Sequence, residues 1–290
     1  ILIAGMAVLT ATDIPHGPIE VLITATEETG MDGANGLKPG VLKGDILLNL
    51  DSETEGELYV GCAGGLDSTI EFNYKEAAVP ADSKAFKLSL KGLKGGHSGM
   101  DINLGRGNSN KLLFRFLKAN AKALDLRMAA VNGGSLRNAI PRESFALVTV
   151  PSGNAGQLQA KVAEASAIYK AELIEKDPDV KLLVEEAELP ARVMDADLQE
   201  RLIDAIMGCP NGTVRMIDSM PGTVETSNNL AIVKTTEDKI VINTLMRSSV
   251  ETAKDYLADS LQAVFELAKA DRIIFDGAYP GWKPNPHSAI

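Results

Sequence analysis

Aromatic side chains make up only 4% of this 290-residue chain, and histidine and cysteine are scarcer still, three and two residues respectively. The two cysteines, Cys62 and Cys209, follow no metal or redox spacing, so both are expected to be buried, reduced thiols of a cytoplasmic protein. Long apolar runs are also missing: nothing approaches the roughly 18 consecutive apolar residues of a membrane span. Positive charge is in deficit, 29 Lys and Arg against 39 Asp and Glu, for a formal net charge of −10. That balance argues against nucleic acid or an anionic membrane as partner, because both reward a Lys/Arg surplus. What remains, 45% hydrophobic and 23% charged, is ordinary globular composition on a chain long enough for two domains.

The first apolar stretch, Ile1 to Leu9, has no basic leader and predicts a core helix over about Ile3–Ala11. It stops before Asp13-Ile14-Pro15-His16-Gly17-Pro18, which is turn punctuation, and His16 reads as an exposed turn residue. The next segment, Ile19–Asp51, reads as strand, acidic turn, Gly-rich connection and strand. Val21-Leu22-Ile23 runs into the adjacent carboxylates Glu27 and Glu28, and Ile46-Leu47-Leu48-Asn49-Leu50 delivers Asp51. In an open α/β sheet, ligands gather at the carboxyl ends of the strands, so both acidic ends are expected at one edge. Three carboxylates brought together need a cation or a proton to offset their repulsion. A divalent metal would do so, and a carboxylate left unligated beside a metal-bound water is a general base for hydrolysis. By spacing alone the pair is also compatible with a solvated acidic turn. Glu53, Glu55 and Glu57 read as solvated surface, with Glu53 near enough to orient a ligand.

From about Leu66 the pattern changes. Strands such as Phe86–Leu90 and Ala146–Val150 frame amphipathic helices at Asn108–Leu124, Ala155–Glu175, Asp195–Met207 and Thr252–Lys269. The strand–helix–strand–strand–helix–strand order predicts a ferredoxin-like α+β sandwich, in one copy or two. The loop Lys94-Gly95-Gly96-His97-Ser98-Gly99 is the most informative here. Its glycines permit close backbone approach to a ligand, and an imidazole held there could donate to an oxyanion. A loop histidine is more often structural or simply exposed.

The strings PHGPIEVLITATEETGMDGA, DILLNLDSETEGELYVGCAGG, FKLSLKGLKGGHSGMDINLGRGNSNKLL, GGSLRNAIPRESFA, NGTVRMIDSMPGTVETSNNLAIV and GAYPGWKPNP occur in this order. Together they resemble consecutive blocks of the bacterial aminoacyl-histidine (Xaa-His) dipeptidases, within the M20 metallopeptidases. The resemblance implies a zinc-peptidase α/β catalytic domain with an inserted ferredoxin-like lid that serves dimerisation. Its expected layout is 1–64 catalytic, 65–281 lid and 282–290 returning to the catalytic domain, with the Gly64-Gly65 pair as a hinge candidate.

The same resemblance implies Glu27 as general base, and Glu28 and Asp51 as ligands of two divalent metal ions, zinc with manganese or cobalt as alternatives. It implies His97 as the lid group that polarises the scissile carbonyl. Thr226-Ser227-Asn228-Asn229 resembles the family's Thr-Ser-x-Asn segment, and Arg247 its strand-borne arginine. An arginine fork matches a peptide carboxylate bidentately, and Asn229 would read the peptide backbone. Asn138, in a block read mainly as turn and strand, is a weaker candidate.

Segments carrying the family's His-x-Asp, bridging-Asp and final His ligands have no counterpart in the 290 residues, so the chain reads as an internal fragment expected to be inactive by itself. The expected function of the parent is metal-dependent hydrolysis of Xaa-His dipeptides by a cytoplasmic homodimer. A non-catalytic dimerising lid fragment, or a related M20 dipeptidase or amidohydrolase, is the alternative.

Overall fold

A computed structural model describes residues 2–26, 31–51, 56–57, 59–285 and 287. Its contacts divide the chain into two compact units, Ile1–Val60 and Gly61–Ile290.

The first unit holds α1 (Leu2–Ala11) and the single turn α2 (Asp32–Asn35). The apolar helix forms where expected, yet it buries none of its described residues, so it is not a core helix. Neither Val21–Ile23 nor Ile46–Leu50 forms a strand. Ile23, Leu47 and Leu48 are 81%, 77% and 73% exposed. The physical reason is that a strand exists only by pairing: runs suited to a parallel sheet covered on both faces need neighbours on each side. No strand among the described residues of this unit offers one. The local tie is Glu20, whose Oε2 accepts from the N–H groups of Lys43 and Gly44 at 2.7 and 2.8 Å.

The second unit contains, in order, β1 (Gly64–Asn73), β2 (Glu76–Ala77), β3 (Ser83–Lys91), β4 (Gly96–His97), α3 (Ser109–Asn120), β5 (Arg127–Gly133), β6 (Ala139–Ile140), β7 (Ser144–Pro151), α4 (Ala155–Glu172), β8 (Lys181–Ala187), β9 (Val193–Met194), α5 (Ala196–Gly208), β10 (Gly212–Met216), β11 (Val224–Thr235), β12 (Lys239–Ser248), α6 (Glu251–Leu267) and β13 (Arg272–Tyr279). The four helices lie within a few residues of the periodicity-based ranges, and the starts of two have a visible cause. Asn108 Oδ1 accepts from the N–H groups of Asn110 and Lys111 to start α3, and Asp195 caps Leu198 to start α5.

The main sheet runs β13-β1-β12-β11-β5-β7-β3-β8, with β10 attached to β11. This order is two copies of one pattern. The strands β3, β5, β7 and β8, with α3 and α4, form one ferredoxin-like unit, in which the second strand sits at the edge and the first and third lie side by side. The strands β1, β11, β12 and β13, with α5 and α6, repeat that connectivity. The ferredoxin-like pattern is therefore doubled, and the inner copy is inserted between β1 and the remainder of the outer one. The two meet at their second strands, through Val233↔Gly133 and Lys234↔Asn132. Helices α4, α3, α5 and α6 pack in a row, α3 against α5 across the seam. A continuous apolar layer beneath them includes Phe72, Phe86, Leu88, Phe114, Leu202 and Phe265. The opposite face is covered in part by the ribbon of β4 and β6, beneath which Asn229 is buried.

The seam has a polar lock. Lys111 of α3 sends its Nζ to the carbonyls of Ile206, Met207 and Cys209, each at 2.8 Å, satisfying the C-terminal end of α5 with a cation. Burial lowers the pKa of this lysine and pushes the neighbouring Cys209 thiol up to about 12. Replacing Lys111 by methionine keeps the stem but strands three carbonyls, and is expected to cost about 2–4 kcal/mol. A urea-unfolding midpoint unchanged from wild type would show that the lock does not matter. The other thiol differs from expectation: both cysteines are free, but Cys62 is exposed. It lies in an edge segment whose N–H and C=O pair with Trp282 at 2.9 and 2.7 Å, which leaves its side chain facing outward.

Gly64 and Gly65 are strand residues rather than a flexible joint, paired with Ser248 and Arg247. Their bareness has a packing cause. A Cβ on Gly65 would lie 2.3 Å from the ring of Tyr279, which occupies that space.

Candidate functional site

His97 sits in β4, a two-residue strand paired with β6, so that Gly96 faces Ile140 and His97 faces Ala139. Ser98 N–H continues the ribbon by donating to Asn138 O at 2.8 Å. Asp101 then braces the turn from both directions: its Oδ2 accepts from His97 N–H at 2.8 Å, and its own N–H donates to His97 O at 3.0 Å. The imidazole is half-buried, and its Nδ1 accepts from the N–H groups of Gly99 and Met100 at 3.3 and 3.2 Å. With Nδ1 acting as acceptor, the neutral ring carries its proton on Nε2. Burial, and then the nearby Arg247 charge, lower the pKa of His97 from its ordinary 6.5, against the opposing pull of Asp101. At neutral pH the ring is thus a neutral N–H donor.

Arg247, on β12, lies beside it. A Cβ built on Gly99 would be 3.2 Å from His97 Cε1 and 3.4 Å from Arg247 Cδ and Nε, so this bare residue separates imidazole from guanidinium. Arg247 Nε donates to Ser98 Oγ at 3.3 Å and Nη1 to Tyr279 Oη at 3.0 Å. Both partners are neutral hydroxyls, and no carboxylate among the described residues forms an ion pair with Arg247. Asp67, on the same face, is instead engaged by Arg137 at 3.1 Å. Desolvation still raises the Asp67 pKa, ahead of the lowering by Arg137. A half-buried guanidinium held in place by two hydroxyls, with no ion pair among the described residues and only the more distant charge of Asp67 acting on it, is suited to receive an anion.

Asn229, on β11, lies behind this surface and is 1% exposed. Its Nδ2 donates to the carbonyls of Arg137 and Ala139, at 3.0 and 2.8 Å. Its Nδ2 is thereby committed to the turn leading into β6, the strand paired with that of His97, while its buried Oδ1 has no partner among the described residues. Asn138 enters through its backbone carbonyl alone. Sequence reasoning passed over Tyr279, Ser98 and Asp101. Asp101 sits within the glycine-rich loop and could have been weighed there; the reach of Tyr279 to Arg247 follows only from β13 pairing with β1.

Of the acidic candidates, Glu27, Glu28 and Glu53 lie outside the described residues. Asp51 is exposed, and its N–H donates to Asn49 Oδ1 at 2.9 Å. Among the described residues no three His, Cys, Asp or Glu side chains gather as a metal pocket. His16 and His287 are exposed.

Residues 88–177, from within β3 to just past α4 of the inner ferredoxin-like copy, match the M20 peptidase dimerisation-domain family. Across 287 residues the chain is 45% identical to a curated protein of Escherichia coli (strain K12) called cytosol non-specific dipeptidase, covering 99% of this chain and 59% of that one. A solved structure of aminoacylhistidine dipeptidase from Vibrio alginolyticus superposes with a TM-score of 0.93 at 48% identity, covering 99% of this chain and 58% of the other. By sequence and by fold, this chain is similar to these two dipeptidases, carries an M20 peptidase dimerisation domain, and spans about three fifths of the length of the proteins it matches.

Proposed function

We propose that the protein to which this chain belongs is a metal-dependent dipeptidase that cleaves Xaa-His dipeptides in the cytoplasm. The observation that carries the reading is the pairing of His97 with Arg247. A neutral imidazole with its proton on Nε2 lies near a guanidinium that forms no ion pair among the described residues. A dipeptide offers the complement, a scissile carbonyl one residue away from a free carboxylate. The likeness to two dipeptidases over 99% of the chain supports it. No described helix is long and apolar enough to cross a membrane, and the Escherichia coli relative is called cytosolic.

In this reading Arg247 grips the terminal carboxylate, held in its rotamer by Ser98 and Tyr279. His97 donates from Nε2 to the oxygen that gains charge as the carbonyl is attacked. Glu27 takes a proton from the attacking water and returns it to the leaving amine. Glu28 and Asp51 are the proposed ligands from this chain for two divalent ions, zinc first. That assignment rests on the family resemblance, since the described residues do not by themselves make a metal pocket. Asn229 serves by holding the turn behind His97. The proposed homodimer would use a surface other than the β5 edge, which β11 of the same chain already covers.

The test is hydrolysis by the full-length protein of Gly-His, Gly-Leu and the C-terminal amide of Gly-His, with and without a chelator. Cleavage of Gly-His that the chelator abolishes supports the reading. Equal rates on Gly-Leu would keep the dipeptidase and remove the Xaa-His preference. Arg247→Met is expected to raise KM for the free acid about 10–100-fold, as loss of a charged hydrogen-bonding pair would. It should barely change KM for the amide. An equal loss on both substrates would deny carboxylate capture.

A further inference from the structure

Asp177 follows α4, and its carboxylate is fully buried. Burying a carboxylate without a cation is costly unless hydrogen bonds offset it, and no Lys or Arg among the described residues pairs with this one. Its two oxygens instead accept from two backbone N–H groups, Oδ1 from Lys94 and Oδ2 from Gly107, each at 2.7 Å. These are short, charge-assisted bonds. Lys94 and Gly107 are the two ends of the loop that carries His97. One side chain therefore closes that loop at its neck.

Between the ends the loop is already braced. Asp101 bonds both backbone groups of His97, Arg106 pairs with Asp101 at 3.4 Å and donates to Gly95 O, and Leu104 N–H reaches Asp101 O at 3.1 Å. A braced loop moves as a body, and its position is set where it joins the fold. The side of the neck that holds it is rigid. Asp177 N–H donates to Leu173 O at 2.7 Å, and β8, which begins at Lys181, pairs with β3 along its length. The backbones also run close: Gly92 has φ +85, and a Cβ there would lie 2.0 Å from Asp179 O.

We infer that Asp177 is a positioning residue for His97: its buried carboxylate clamps both ends of the His97 loop and so fixes where the imidazole meets substrate. The inference rests on the proposed dipeptidase reading for its consequence in turnover, while the clamp itself is a property of the fold. Arg106, donating to Gly95 O, also links the two ends, but among the described residues no other side chain accepts from the backbone N–H groups of both.

The experiment is a double-mutant cycle in the full-length protein, with Asp177→Asn, His97→Ala and the pair. Asp177→Asn replaces one acceptor oxygen by a donor and forces the clamp open. It is expected to lower kcat about 10–100-fold with KM within about threefold, and to add less than about twofold in the His97→Ala background. Equal losses in both backgrounds, or unchanged kcat, would overturn the role. Should Asp177→Asn not fold, hydrogen exchange on the wild-type protein decides. The Lys94 and Gly107 amides should exchange at least about 100-fold more slowly than that of the exposed Gly105 in the same loop, and comparable rates would overturn the clamp. Absence of all dipeptidase activity would sink the functional reading, with the exchange result still deciding the clamp.

Discussion

Replacing His97 by alanine in the full-length protein is expected to lower kcat for Gly-His by about 10²–10³-fold, the usual loss when one preorganised donor to a developing oxyanion is removed. KM should change far less, because the carbonyl oxygen gains most of its charge only on the way to the tetrahedral intermediate. The structure shows how the donor is prepared. Two backbone N–H groups point at Nδ1, so the proton is left on Nε2 before any substrate arrives.

Acidity should switch this arrangement off. Protonation would place a hydrogen on Nδ1 facing two other hydrogens, and it is resisted further by burial and by Arg247. A folded-state pKa below the ordinary 6.5 means that the neutral form persists as pH falls toward that lowered value. The same shift means that the stability His97 contributes is present above the ordinary value and lost as pH falls through the lowered one. His97→Gln, which retains an N–H donor without a titrating ring, should keep more activity than alanine and flatten any part of the acid limb due to His97. Alanine and wild type with equal kcat would remove His97 from the chemistry.

The largest effect on stability is expected at Gly134→Ala. Gly134 has φ +74, and a Cβ there would lie 1.8 Å from the carbonyl oxygen of Ala231 on β11. Backbone cannot yield as a flexible side chain can. The substitution thus combines the left-handed penalty of about 1–2 kcal/mol with displacement of the seam, for a total of about 3 kcal/mol or more. At roughly 2–4 °C per kcal/mol for a unit of this size, the Tm should fall by about 10 °C. Gly153→Ala, with nothing within 4 Å of the added carbon, is the control and should move Tm by no more than about a degree. Equal shifts at the two positions would mean that the close approach at the seam is not a constraint.

The parts of this molecule that announce themselves in the sequence are those set by local periodicity. The four long helices do so because their apolar positions recur at helical spacing, and the ferredoxin-like order because its strands alternate. His97 and Arg247 were legible one at a time. That they flank Gly99 follows from β12 lying beside the His97 loop, a relation between distant residues that no spacing encodes. Asn229 shows the limit from the other side: the resemblance implied that it reads the peptide backbone, and what no resemblance disclosed is that its Nδ2 bonds two carbonyls within the fold. Asp177 was invisible because nothing near it in sequence indicates that its partners are Lys94 and Gly107. Val21–Ile23 and Ile46–Leu50 have strand composition, but composition cannot provide the neighbours that make a strand.

The nesting of one ferredoxin-like copy within the other also constrains the order of assembly. β1 ends at Asn73 and its partner β12 begins at Lys239, so the whole inner copy, with α5 and β11 after it, lies between two strands that must touch. Closing so long a loop in an unstructured chain is slow. If the inner copy collapses first, it draws the flanking chain together and turns that search into a short one. A ribosome releasing this polypeptide would then hold β1 unpaired until Lys239–Ser248 had been made, a window in which its row of free amide and carbonyl groups is open to any other extended strand nearby.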